Sequence, residues 1–422
     1  MAPVDATPLQ KRNFLNVQID AIGIGLASAA GQFLPIFLTR LGATNFQVGL
    51  LTAMPALSGL LLAIAIGRFL QGRRKIVPWF SGARLLVVSA YALTGLVTFL
   101  VPQEYAVAAV LLIWFAATLP QIVVNVAFSV VMNAVAGPAK RYELMSRRWS
   151  LLGLTTAITV AITGQVLDRI NFPINYQVVF IGLSVGGLIS YYFSSHIRLP
   201  EIETPPGIPG LSLRARFREH LGLILNQRPF VSFTLKRFVF LTGQALAIPL
   251  FPLYYVHTLQ ASNAWIGLIG TAQTAVLLLG YFFWTRQSRR RGSRFVLLWT
   301  TLGLSLFPAV IASTRQIELV VFFAGLGGIL QAGIDLVFFD ELMKTIPEEY
   351  SATFVAYAQS VQYLSSFVAP LLGTSLATWI GIPGALLIST VIRLFGFALF
   401  MSGGESRLVA QFQRLKSPSH SD

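Results

Sequence analysis

LGATNFQVGLLTAMPALSGLL, residues 41–61, and LQASNAWIGLIGTAQTAVLLL, residues 259–279, are one pattern written twice. Without a gap, Leu41, Ala43, Asn45, Gly49, Leu50, Leu60 and Leu61 fall on Leu259, Ala261, Asn263, Gly267, Leu268, Leu278 and Leu279. In the same register Arg68 meets Arg286 and Arg73 meets Arg291. Each copy reads as a short polar loop, an apolar helix and a basic cluster. Two parallel halves rich in membrane-length apolar runs are one build used by membrane carriers.

Composition agrees with that setting. The 422 residues are 55% hydrophobic and only 11% charged, where a soluble domain carries about 25% charged residues. There is too little charge to cover a water-exposed surface of this size. Apolar runs of about 20 residues recur from Phe14 to Met401, each long enough for a hydrocarbon core of about 30 Å. The chain therefore reads as an all-α, polytopic membrane protein. A transmembrane barrel would show short alternating strands instead.

The net charge of +15 does not point to nucleic acid, because the bases sit in short gaps between apolar runs. There is no cysteine, hence no disulfide or thiolate site. Four scattered histidines give no metal spacing. The glycine patches (Gly23, Gly25; Gly325, Gly327, Gly328) fall inside helices and read as close-packing surfaces rather than phosphate loops. Neither a cofactor nor an enzymatic site is expected. The N-terminus, MAPVDATPLQKRNF, shows no small-residue cleavage site, so the first apolar run reads as a retained span.

Twelve spans are expected, near 14–38, 46–67, 77–101, 105–135, 145–167, 175–195, 230–256, 264–285, 294–314, 317–340, 351–379 and 383–402. Bases cluster in alternate gaps, at Arg73, Arg74 and Lys75, at Lys140, Arg141, Arg147 and Arg148, and at Arg286 to Arg294. The opposite gaps hold only Arg40, Arg169 and Arg315. The positive-inside bias then puts both termini and the basic gaps in the cytoplasm, with the bilayer an inner membrane. The expected organisation is a tail (1–13), a six-helix bundle (14–199), a linker (200–229), a second bundle (230–403) and a tail (404–422). In the linker, EIETPPGIPG precedes LSLRARFREHLGLIL, whose Leu213, Phe217, Leu221 and Ile224 have helical spacing. That stretch is either a basic amphipathic helix on the inner leaflet or an ordinary capping helix.

Six spans, a basic linker and six more in parallel register resemble the major facilitator superfamily, over essentially the whole chain. The best local mark is GRFLQGRRK, Gly67 to Lys75. Gly67, Arg73, Arg74 and Lys75 match the family's pattern, and Gln71 stands where an Asp is usual. The second copy, RQSRRRGSR from Arg286, keeps bases and also lacks an acid. The helix-4 Arg common in proton-driven exporters is absent. The resemblance implies a central cavity open alternately to either side. Spans 1, 4, 7 and 10 would line it, aided by 2, 5, 8 and 11. Spans 3, 6, 9 and 12 would be peripheral.

Polar groups in hydrocarbon are costly and point to function or to a partner. Asp20 lies two turns into span 1, roughly 10 Å deep, and Asp335 lies at similar depth in span 10, one turn past Gln331. Each reads as a proton or substrate site, or else as a structural acid. Gln121 and Asn125 share a face of span 4, and their repeat register places Asn125 beside Asp335 in depth. Gln244, Gln273, Gln359 and Gln362, with Gln165, complete a set of amides suited to a neutral or amphipathic solute, or else to interhelical bonding. Arg84 is expected to snorkel to the surface. Arg393, deep in span 12, is expected to pair with Asp335, a pairing that competes with a proton role for that acid. Asp340, Glu341, Glu348 and Glu349 face Arg73, Arg74, Arg147 and Arg148 as an expected intracellular gate. Pro35 and Pro252 occupy matching places near the outer ends of spans 1 and 7.

The resulting expectation is a monomeric secondary transporter of a small-molecule solute, with H+ as a candidate coupling ion, resident in the bilayer and binding no nucleic acid. The competing expectation is a membrane protein of the same fold that serves as an assembly or sensor factor.

Overall fold

Both copies of the repeat fold alike from their first residue. In a computed structural model, which describes residues 7–71, 73–199, 226–346 and 351–402, Gly42 and Gln260 both have positive φ, 92° and 48°. These are matching positions in the two loops. Thr44 and Ser262 follow as N-caps, accepting from the Gln47 and Trp265 N–H groups at 3.3 and 3.4 Å. In the first copy the Gln47 side chain also accepts from the Thr44 N–H, closing a capping box. Helices Asn45–Gln71 and Asn263–Arg291 then begin at equivalent residues.

All regular structure among the described residues is helical. Span 1 is Pro8–Arg40, span 2 Asn45–Gln71, span 3 Val77–Leu100, span 6 Ile174–Ser195, span 8 Asn263–Arg291, span 9 Ser293–Ser313 and span 10 Ile317–Lys344. Span 1 starts earlier than residue 14. Thr7 and Gln10 form a capping box there, and Pro8 fits the first helical turn. Span 7, Arg228–Thr258, ends in a π-helical turn at Tyr254–Thr258. Spans 4 and 5, Gln103–Ala136 and Arg147–Arg169, lie within one helical run. Trp114 donates to Thr94 and Phe128 meets Phe80, so span 4 is antiparallel to span 3. Arg148 meets Asp20 and Thr156 donates to Gly25, so span 5 is parallel to span 1. The chain therefore turns back between spans 4 and 5. Spans 11 and 12 share the run Ser351–Met401, which Gly381 breaks with φ 79°.

These spans form two six-helix bundles related by the repeat. Gly49 of span 2 abuts Pro370 and Thr374 of span 11, and its repeat partner Gly267 of span 8 abuts Val160 and Gly164 of span 5. Each glycine lets backbones of opposite halves approach where a methyl group would collide, at 3.2 Å from the Pro370 carbonyl and 2.9 Å from that of Val160. Large apolar side chains such as Leu61, Leu100, Phe282 and Trp379 face outward, as a lipid-facing surface requires. The 200–225 part of the linker, with its proposed amphipathic helix, and the tails 1–6 and 403–422 lie outside the described residues.

Contacts between the halves crowd toward one end. Arg40 donates to the Ala261 carbonyl at 3.2 Å, and Tyr176 donates to Asn263 at 2.6 Å. Asp168 accepts from the backbone N–H groups of Asn263 and Ala264. Thr271 donates to the Ala157 carbonyl. This end is called the far face, and the end bearing Arg73, Arg74 and Arg289 the basic face.

Candidate functional site

Asp20 has no exposed surface. Its carboxylate is held by Arg84, accepts from Ser190 at 2.6 Å and lies 3.6 Å from Arg148. Gly23 and Gly186 allow this convergence, because spans 1 and 6 meet backbone to backbone there. One expectation is corrected: Arg84 is 4% exposed and does not snorkel; its nearest counter-charge is inside the bundle. Arg148, expected at the gate, is 3% exposed in this conformation and turned toward Asp20. Its guanidinium lies over Phe128, 4.5 Å from the ring centroid. Coulomb attraction in a low dielectric outweighs the reach to water for both.

The acid of the second half is handled differently. Asp335 accepts from the Tyr281 hydroxyl at 3.1 Å and from the Gln331 amide at 2.8 Å. Gln331 in turn accepts from Gln244 at 2.7 Å. The expected Arg393–Asp335 pair does not form. Arg393 instead donates to the Leu304 carbonyl at 2.8 Å. Pro308 sits four residues on and has no N–H for that carbonyl. The freed backbone acceptor takes the guanidinium that sequence pairing assigned to the acid.

Four cavities mark the space in and between the halves. One of about 320 Å³ is lined by Gln32, Thr52, Gln244, Gln273, Gln331 and Arg393, with Pro35 and Pro252 at matching places. A second of about 430 Å³ holds Arg237, Gln244, Gln331, Asp335, Gln359 and Gln362. A third of about 850 Å³ lies between Gln121, Asn125, Gln362 and Tyr363. A fourth of about 280 Å³ holds Arg84, Gln121, Asn125 and Arg148. Gln121 donates to Asn125 at 2.9 Å, one turn along span 4. Asn125 and Asp335 do not line a common cavity; Gln362 lines one with each of them. Gln165 lines none of the four, although its neighbour Gly164 packs against Asn263. Span 12, expected at the periphery, sends Arg393 inward.

At the basic face, Arg73 stacks on Phe69 and Trp79. Gly67 is in helix, and the side chain of Gln71 lies outside what is described. Arg74 and Lys75 are exposed. Asp340 and Glu341 meet Lys344 at 2.7 and 2.8 Å, and Glu341 also accepts from Ser293. These acids pair within their own half in this conformation. Glu348 and Glu349 lie outside the described residues.

Sequence reading missed Gln32, Tyr281 and Arg237. Arg237 looks like a linker-flanking base, next to Lys236. Yet it donates to Gln362 at 2.7 Å and lies 5.8 Å from the Phe338 ring centroid. Its place two turns inside span 7 was the available signal.

Residues 233–414 match the sequence model of the Major Facilitator Superfamily. No curated protein matches the chain. Among solved structures, it is similar to the nucleoside transporter NupG (TM-score 0.68, 11% identity, 92% of this chain and 99% of that one). It is also similar to a bacterial homologue of the human lysosomal transporter Spinster in an inward-facing, unoccupied conformation (0.69, 12%, 96% and 98%). A third is a bacterial homologue of the iron transporter ferroportin in an inward-facing state (0.69, 15%, 93% and 98%). At these identities the likeness is one of fold.

Proposed function

We propose that this chain is a membrane transport protein of the Major Facilitator Superfamily, a secondary active transporter working by alternating access; the match of residues 233–414 and the shared fold support that reading. One observation carries the reading: bonds between the halves gather at the far face, while the cavity of about 850 Å³ between the halves runs toward the basic face. A carrier caught open to one side has this distribution. The basic face is then cytoplasmic by the positive-inside bias, the membrane is an inner membrane, and the chain, holding both halves, acts as a monomer.

Transport requires the far-face bonds to break and the basic face to close. Asp340, Glu341 and Glu348 are the proposed partners for Arg73, Arg74 and Arg147 in that closed form. Asp335 is the proposed proton-coupling group. Its described partners, Tyr281 and Gln331, are neutral, so no fixed cation holds it in one charge state. Gln121, Asn125, Gln359 and Gln362 are proposed to contact the solute along the wider cavities.

Solute flux into proteoliposomes tests the reading, together with labelling of single introduced cysteines from each side. The native chain has no cysteine to interfere. Solute-dependent exchange of labelling between the two faces is expected. Fixed labelling with no flux of any solute would remove the proposal.

A further inference from the structure

Arg393 is a buried cation without a described counter-charge, and its surroundings are built to present it to a cavity. It is 2% exposed and lies on span 12. Its stem runs past Gly243 of span 7, where a methyl group would come within 2.8 Å of the Arg393 side chain. Ser389 donates to the Gly243 carbonyl at 2.7 Å and pins the two helices together at this point. The missing side chain at residue 243 is the channel through which a peripheral span reaches the centre. At its tip, one nitrogen serves Leu304, while Nε is buried with no partner.

Satisfying one carbonyl does not need a guanidinium. A buried, uncompensated charge costs several kcal/mol, far more than a lone backbone acceptor would. The same cavity is lined by Gln32, Gln244, Gln273 and Gln331, and no carboxylate is among its lining residues. The adjoining cavity shares Gln244 and Gln331 and contributes a second guanidinium, Arg237, whose Nε is also buried and unpartnered. Asp335 there spends both oxygens on Tyr281 and Gln331. Two cations against one acid leave the path positive.

We propose that the transported solute is a small organic anion, bound through its carboxylate or phosphoryl oxygens by Arg393, with Arg237 next along the path. This deepens the transport reading and rests on it. Guanidinium matches either oxyanion bidentately, and the amides suit the polar remainder. About 320 Å³ is at the small end of ligand sites. The amide-rich lining alone suggests a neutral solute; the unpaired guanidinium reverses that choice.

The test is a thermal-shift panel on the purified full chain. The probes are inorganic phosphate, succinate and glucose 6-phosphate, each beside a neutral counterpart (succinamide, glucose). At least one anion should raise the melting temperature, and its neutral counterpart should not. Arg393→Gln should abolish that shift while the unliganded protein still melts cooperatively. Should Arg393→Gln fail to fold, Arg393→Lys carries the test, with affinity weakened roughly tenfold or more by loss of the charged hydrogen-bond pair. Stabilisation by neutral counterparts, no response to any anion, or an unchanged response in both variants overturns the proposal. Added anionic lipid that reproduces the shift in an Arg393-dependent way, with the soluble anions inert, would also overturn it, since the occupant would then be a headgroup. Flux of a neutral solute that ignores Arg393→Gln sinks the anion while leaving transport intact. Arg393-dependent binding with no flux of the bound anion sinks transport instead.

Discussion

Asp168 ties the two halves together by capping a helix that belongs to the other half. Its Oδ1 accepts from the Asn263 N–H at 2.8 Å and its Oδ2 from the Ala264 N–H at 2.9 Å. Those groups open span 8, where the free N–H groups and helix dipole favour an anion. Removing such a cap costs about 1 kcal/mol, up to about 2. Asp168→Ala should therefore shift the conformational balance several-fold toward a far-face-open form. A cysteine placed at Gln273 should label faster from that side in the variant. Unchanged labelling would mean that the Arg40 and Tyr176 contacts hold the seal without Asp168.

Asp20 should prove structural. Asp20→Asn leaves Arg84 and Arg148 buried with less counter-charge, and breaking a buried pair costs about 3–5 kcal/mol. The variant should lose most folded protein on detergent size-exclusion. Adding Arg84→Gln should recover part of the loss, because residues in one network are not additive. A stable Asp20→Asn protein with altered coupling would return Asp20 to the mechanism.

The repeat and charge census made the architecture legible, down to the short polar loops that precede spans 2 and 8. Depth of polar residues was also readable, so Asp20, Asp335, Arg84 and Arg393 all stood out. What periodicity could not supply was the partner of each. Choosing Asp335 for Arg393 ignored the backbone acceptor freed at Leu304 by Pro308, which is written in the sequence but acts across helices. Arg84 reached Asp20 rather than water because Gly23 and Gly186 bring spans 1 and 6 together, a proximity that no single-span pattern encodes. Assigning span 12 to the periphery hid the cavity that Arg393 reaches, for the same reason: Gly243 opens the path inward.

Asp335→Asn should fold nearly as well as the wild type, since Tyr281 and Gln331 can each bond an amide. Gradient-driven accumulation should fall to background, while exchange of solute across equal proton concentrations persists. Such a split separates a coupling group from a binding group, which would lose both. Tyr281→Phe should weaken both modestly, by removing one hydrogen bond of about 1 kcal/mol. Accumulation surviving Asp335→Asn would require another coupling ion.

Gln260 holds φ 48° where its repeat partner, at φ 92°, is glycine. The left-handed region costs a residue with a Cβ roughly 1 kcal/mol, a strain glycine does not feel. Gln260→Gly removes that strain but adds unfolded-chain entropy. The net gain should stay below about 1 kcal/mol, because these two terms oppose each other. Gly42→Ala meets the same two terms with their signs reversed, but φ 92° lies further than 48° from the left-handed minimum at about +57°, so strain outweighs the entropy gain and the variant should be destabilised. Melting temperatures of the two variants should therefore move in opposite directions, Gly42→Ala by the larger step. Equal shifts of the same sign would show that the two loops, though alike in sequence and turn, carry different loads in the two halves.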